Sequence, residues 1–185
     1  GNKDGKIELT NEPQVREILN KIDGADYIVG NVESKTKTRN PAPPFTTSTL
    51  QQEASRKLNF TSRRTMQAAQ QLYEGVDVKG KGTVGLITYM RTDSLRISDE
   101  ARDAAFSFIK STYGDEYTPE KPRIYKTKKS AQDAHEAIRP SDITITPEQI
   151  KESVAPDLYK IYKLIWERFV SSQMSSAIYD TVSVD

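Results

Sequence analysis

Two side chains in the run Gly85-Leu86-Ile87-Thr88-Tyr89-Met90-Arg91-Thr92-Asp93-Ser94 have the chemistry to act on a phosphodiester. A phenol attacks poorly at neutral pH, because its ordinary pKa is about 10. A guanidinium beside it favours the phenolate and can also hold a phosphate through two parallel hydrogen bonds. Tyr89 and Arg91 together suit nucleophilic attack with a covalent intermediate. Val84 to Met90 reads as a short strand, with Gly82 and Gly85 at its start and charged residues beyond it. Residues two apart on a strand share a face, so a strand that persists to its end turns Tyr89 and Arg91 the same way. The competing role for Tyr89 is an edge or core aromatic, where tyrosines are usually half-buried.

The elements that must position this pair follow from capping and periodicity. Ser48 and Gln51 have the spacing of a capping box, opening a helix with Leu50, Ala54 and Leu58 one turn apart. A second helix is predicted over about Ser62 to Glu74, burying Met66, Ala69 and Leu72 or Tyr73. Arg56, Lys57, Arg63 and Arg64 cluster at the join, as a solvated face or as a DNA contact. Gly75, Gly80 and Gly82 mark a hairpin or loop leading into the motif, and their spacing fits no phosphate-binding glycine loop. Beyond the motif, Ser98 caps an amphipathic helix with Asp99 and Glu100 in its first turn and Gly114 past its end. Its apolar face, Ala101, Ala104, Ala105, Phe108 and Ile109, would brace the motif strand.

Lys121 to Lys129 carries five basic residues with Ile124 and Tyr125 among them and suits either phosphate contact or a solvated loop. Ser130 opens a short helix that must stop near Ile138, because Pro140 follows Arg139. On that helix His135 and Arg139 share a face. Arg139 either binds phosphate or anchors Glu136 and Asp133. His135 is the only histidine, and with no cysteine or second histidine it has no zinc-ligand company. Thr146 and Gln149 form another capping box around Pro147. Pro156 opens a longer helix whose buried stripe is Leu158, Ile161, Tyr162, Ile165 and Phe169, with Leu164 and Trp166 widening it.

The two ends of the chain differ from this helical middle. Lys6 to Thr10 alternates weakly like a strand. Asn11 caps a helix, with Pro13 in its first turn, that turns Val15, Ile18, Leu19 and Ile22 inward and stops at Gly24. Ala25 to Val32 reads as a strand centred on Tyr27-Ile28-Val29, and the polar stretch Glu33 to Asn40 either extends it or loops. Pro41, Pro43 and Pro44 break the chain there. Ala177 to Val184 alternates as a strand, with Ile178, Val182 and Val184 on one face, and is expected to pair with the first strands.

Four ordered passages resemble the bacterial type IA DNA topoisomerases. They are Pro44-Phe45-Thr46-Thr47-Ser48-Thr49-Leu50-Gln51-Gln52, Gln70-Gln71-Leu72-Tyr73-Glu74-Gly75, Ile87-Thr88-Tyr89-Met90-Arg91-Thr92-Asp93-Ser94 and Ala134-His135-Glu136-Ala137-Ile138-Arg139-Pro140. The resemblance makes Tyr89 the nucleophile that cleaves one DNA strand and keeps its 5′ phosphate, with Arg91 stabilising charge on the phosphoryl oxygens. It implies that Thr88, Thr92 and Asp93 orient DNA or Arg91, that Gln70 and Tyr73 lie near the bound strand, and that His135 contacts phosphate, while Arg139 is a DNA-binding candidate with the anchoring role still open. A turn or cap is the other role open to Asp93. The implied fold is α+β: a mainly helical, winged-helix-like tyrosine domain over 46–175, inserted in a partial β arch domain formed by 1–45 and 176–185.

Composition sets the limits. Twenty-seven basic and 26 acidic residues give a net charge of +1, so any DNA affinity must come from local clusters. With no cysteine, disulfides and thiol catalysis are excluded from this chain. No run of about 18 apolar residues exists to span a membrane as a helix, which fits the cytoplasmic, nucleoid-associated setting of a bacterial DNA enzyme. A start at Gly1 and an end in strand-like sequence suggest a piece of a longer protein. The family also uses a metal-binding acidic cluster with an Asp-x-Asp pair, and no such pair occurs here. No cofactor is therefore expected in this piece, Mg²⁺ is expected in the whole enzyme, and the expected partners are single-stranded DNA and the remaining domains. The alternative is a DNA-binding module without chemistry.

Overall fold

A computed structural model of the chain describes residues 8–125 and 135–185. The chain divides into two compact units, residues 1–37 with 180–185, and residues 38–179. The larger unit is helical with a small hairpin. It contains α2 (Thr47–Leu58), α3 (Ser62–Glu74), β2 (Val76–Val78), β3 (Gly82–Val84), α4 (Asp99–Tyr113), α5 (Pro147–Ile150) and α6 (Pro156–Gln173). The smaller unit holds α1 (Glu12–Ile22) and most of a two-stranded sheet of β1 (Val32–Arg39) and β4 (Ala177–Val184). The expected α+β class is what the chain adopts.

The core of the larger unit is organised on α6, where Leu158, Ile161, Tyr162, Leu164, Ile165, Trp166 and Phe169 are all buried. Burying each such side chain contributes about 1.5–3 kcal/mol, so this stripe outweighs anything a three-residue hairpin supplies. Buried aromatic polar atoms are satisfied: the Tyr162 hydroxyl donates to the Ile145 carbonyl at 2.6 Å, and Trp166 Nε1 donates to the Ile143 carbonyl at 2.9 Å. The Phe108 ring of α4 meets Trp166 edge-on at 5.8 Å. Burial, reinforced by the charge of Asp142, pushes the Tyr162 hydroxyl well above its usual range.

Glu53 of α2 is buried and gathers Lys57 at 3.0 Å, Arg56 at 2.5 Å and Arg168 of α6 at 3.3 Å. The Arg168 guanidinium lies 4.3 Å over the Phe45 ring. The hydrogen bond from Lys57 leads the contacts that overcome burial and hold the Glu53 carboxyl below its usual range.

Several expectations are corrected. The box that opens α2 is Thr46 with Thr49, not Ser48 with Gln51, because the helix begins at Thr47. Thr146 does precede α5, but its side chain makes no capping bond to that four-residue helix. Leu58 and Met66 are only partly buried; of the alternatives Leu72 and Tyr73, Leu72 is the buried one and Tyr73 is exposed. The helix from Asn11 forms as expected, with the Asn11 side chain accepting the Gln14 amide at 3.0 Å, yet none of its residues is buried. Its apolar stripe has nothing to pack against among the described residues of its unit.

Tyr27, Ile28 and Val29 are likewise exposed and lie outside any strand. Asp185 accepts from the Gly30 and Asn31 amides, and no described strand pairs with residues 25–29. Residues 8–10 form no strand either. β1 instead covers the polar stretch that followed, and its pairing with β4 fulfils the expected return. Lys6 and Ile7 lie outside the described residues.

Candidate active site

The motif around Tyr89 is not a strand. β3 ends at Val84, and only an isolated antiparallel bridge, Ile87 to Pro140, follows it. Thr88 explains why the ladder stops. Its amide donates to the Arg139 carbonyl at 2.9 Å, but its hydroxyl then accepts the Arg139 amide at 3.0 Å and donates to the Ala137 carbonyl at 2.8 Å. A side chain thus takes the places that backbone groups would fill in a continuing ladder. The expected same-face arrangement of Tyr89 and Arg91, which rested on a strand, is corrected accordingly.

Other bonds hold the loop in shape. The Leu86 amide donates to the Leu72 carbonyl at 2.7 Å, tying the loop to the last turn of α3. Leu86, Ile87 and Met90 are buried and act as its anchors. On the far side, the Thr47 hydroxyl at the start of α2 donates to the Met90 carbonyl at 2.7 Å and accepts the Thr92 amide at 2.9 Å. Arg91 lies between these two grips, with its side chain exposed.

Tyr89 is half-buried and part of an aromatic row. Its ring centroid is 5.4 Å from that of Tyr73 in an edge-on contact, and 5.3 Å from the imidazole of His135 in a tilted one. Three residues far apart in the chain are thereby brought together, from α3, the motif loop and the segment before Pro140. Beside them lies an open cleft of about 480 Å³ lined by Thr47, Ser48, Gln51, Arg91, Thr92, Asp93 and His135. His135 belongs to both the row and the cleft. The cleft offers the exposed Arg91 guanidinium, an imidazole, the Ser48 hydroxyl and the Gln51 amide to an anion, with the Asp93 carboxylate beside them.

The remaining expected residues are placed as follows. Gln70 lies one turn before Tyr73 on α3 and donates to Glu74. Thr88 and Thr92 spend their hydroxyls inside the protein, the latter accepting the Ser94 amide at 3.0 Å. Asp93 is exposed on the cleft wall.

His135 and Arg139 share no helical face, because residues 135–140 run extended: the Ala137 amide bonds to Arg96 and the Ile138 amide to Phe45. Ser130, where that helix was to begin, lies outside the described residues, as do Asp133 and Lys126 to Lys129. Arg139 makes an ion pair with Glu136 at 2.7 Å, so its contacts are those of an anchor. Arg123 and Tyr125 are also structural, bonded to Met174, Ser176 and Ser172. Of the basic cluster on α2 and α3, Arg56, Lys57 and Arg64 are engaged by Glu53 and Asp157.

Thr47, Ser48 and Gln51 were absent from the expected site, although they stand in the Pro44–Gln52 motif. Helical spacing gave a capping role to Ser48 and Gln51 and none to Thr47.

A family model described as DNA topoisomerase matches residues 1–185, the whole chain. The chain belongs to that family. A solved structure agrees: full-length topoisomerase I from Thermotoga maritima is 41% identical and superposes with a TM-score of 0.78 over 91% of this chain. The matched region is 26% of the Thermotoga chain, so this topoisomerase chain spans about a quarter of that protein's length. Together these findings place it in the bacterial type IA branch. No described helix is long and apolar enough to cross a membrane.

Proposed function

We propose that this chain is the tyrosine-bearing part of a type IA topoisomerase that relaxes negatively supercoiled DNA. Tyr89 Oη attacks a backbone phosphorus of a single-stranded segment. A phosphorus–oxygen bond to tyrosine forms, the bond to the 3′ oxygen breaks, and the 3′ hydroxyl leaves carrying a proton. Another strand passes, and the hydroxyl re-attacks to restore the DNA and free the phenol. No external energy is consumed, since one phosphodiester replaces another.

The observation that carries this reading is the place of Tyr89, packed between Tyr73 and His135 at the edge of a cleft holding Arg91. The packing restricts the phenol ring, and Arg91 supplies fixed positive charge for the phosphoryl oxygens. His135 and Asp93 line the same cleft and contact or orient the strand. Gln70 and Tyr73 extend the contact surface along α3, while Thr88, Thr92 and Arg139 act through the backbone they hold. The small unit is the partial arch, and remaining domains of the whole protein complete the site. Such an enzyme works on DNA in the bacterial cytoplasm.

Among the described residues no group of three His, Asp or Glu side chains could hold a metal ion. The Mg²⁺ expected of the whole enzyme therefore has no fit in the described part of this chain, and no step here runs through it. In the full-length enzyme, Tyr89→Phe should abolish the covalent DNA adduct and relaxation while single-stranded DNA still binds. Retained relaxation would instead favour a DNA-binding module without chemistry.

A further inference from the structure

The acid beside His135 has no role in the reading above, yet its contacts converge on the site. Ser98, the N-cap of α4, accepts the Ala101 amide with its hydroxyl. In a complete capping box the third helical residue would return a bond to the N-cap amide. Here that residue is Ala101, which has no group to do so. The carboxylate of Glu136, 38 residues further on, accepts the Ser98 amide instead. Its other oxygen takes Arg139 Nη2 at 2.7 Å, and Arg139 Nη1 donates to the Pro140 carbonyl at 3.0 Å. Both side chains are largely enclosed, Glu136 19% and Arg139 13% exposed.

The segment so clamped does two things for Tyr89. His135, adjacent to Glu136, packs on the phenol ring in a tilted contact at 5.3 Å. Ala137 and Arg139 hold the backbone and hydroxyl of Thr88, the residue just before Tyr89. We infer that Glu136 is a positioning residue for the nucleophile, joining the N-terminus of α4 to the His135–Arg139 segment and so fixing His135 and Thr88 around Tyr89. The inference rests on Tyr89 being the nucleophile. It also assigns Arg139 to Glu136 and not to DNA. Removing the carboxylate would leave a nearly enclosed guanidinium with the Pro140 carbonyl as its remaining partner among the contacts described, and an α4 N-cap amide with none. Both favour local rearrangement of the segment.

The test reads the position of His135 directly. In the full-length enzyme with ¹³C-labelled histidine, the His135 ring resonance is identified by its loss in His135→Gln. Packing on Tyr89 shifts it, so Tyr89→Ala should move it toward the free-imidazole position. Glu136→Ala should move it the same way and slow single-turnover adduct formation by roughly 10- to 100-fold, as misplacement by an ångström does. Affinity for single-stranded DNA should fall by less than adduct formation does, because the rest of the cleft is left in place, a split that general loss of structure would not give. If Glu136→Ala does not fold, Glu136→Gln carries the test, since its carbonyl keeps one acceptor but loses the charge that holds Arg139. An intermediate shift and an intermediate rate are then expected. An unmoved resonance, or a moved one with undiminished adduct formation, would overturn the inference. The resonance is read without DNA, so its outcome stands apart from whether Tyr89 is the nucleophile, which Tyr89→Phe reports.

Discussion

Replacing Gly85 with alanine puts the approach of α3 to the motif loop to a test in which the sign alone is decisive. Gly85 does not adopt a left-handed backbone, so alanine meets no dihedral penalty there. In such a position Gly→Ala ordinarily stabilises by about 0.4–1 kcal/mol, by restricting the unfolded chain. At Gly85 the added Cβ would lie 2.9 Å from the Tyr73 carbonyl oxygen, about 0.5 Å inside ordinary contact. That oxygen is backbone in the last turn of α3 and cannot swing aside. The neighbouring Leu86–Leu72 bond at 2.7 Å pins the same approach. Overpacking of this kind costs about 1–3 kcal/mol, which leaves a net loss of up to about 2.6 kcal/mol, and about 1.3 kcal/mol at the middle of both ranges, after the unfolded-state gain. For a chain of this length that lowers Tm by about 2–8 °C. Urea denaturation followed by the emission of the single, buried Trp166 measures it. A variant as stable as the parent, or more stable, would refute the close approach. The same displacement should loosen Tyr73 from Tyr89 and slow adduct formation in the full-length enzyme.

Two further outcomes follow from the ion pairs. Glu53→Ala strips Arg168, Lys57 and Arg56 of their shared carboxylate and should cost about 1–3 kcal/mol in the same denaturation assay; a loss below about 0.5 kcal/mol would show that the cluster is only decoration. Burial opposes ionisation of Glu136, but the hydrogen bond and charge of Arg139 and the Ser98 bonds outweigh it and hold the carboxyl below its usual range. Its stabilising contribution is therefore fully present above the unfolded value of about 4.3 and is lost as pH falls through the lower folded value. Stability curves of the parent and of Glu136→Gln should accordingly lie apart at pH 7 and converge in acid below about pH 4; a constant gap would contradict the ionised pair.

Helices that close their own hydrogen bonds were legible in the sequence. Ser62–Glu74, the Ser98-capped α4 and the apolar stripe of α6 run where period and caps placed them. The strand through Tyr89 and the helix through His135 were not, for one shared reason: each segment satisfies its backbone with groups far away in the chain. Thr88 meets Ala137 and Arg139, Ile138 meets Phe45, and Thr47 meets Met90 and Thr92. Local propensity carries no record of such partners. The exposure of Tyr27, Ile28 and Val29 was illegible in the same way, since an apolar triplet reads as a strand whether or not a neighbour exists to pair with it.

The site itself was readable as residue types in ordered motifs, while its geometry was not. Tyr89 and His135 are 46 positions apart, and only the extended course of residues 135–140 brings the imidazole onto the phenol ring. Arg91 kept its place beside the cleft through the grip of Thr47 rather than through a shared strand face.

The most direct test of the account is to trap the full-length enzyme on single-stranded DNA, digest protein and DNA, and locate the nucleotide by mass spectrometry. The account predicts a 5′-phosphodiester on the peptide bearing Tyr89. Attachment to Tyr73, whose ring lies 5.4 Å away, or to any other residue, would contradict it.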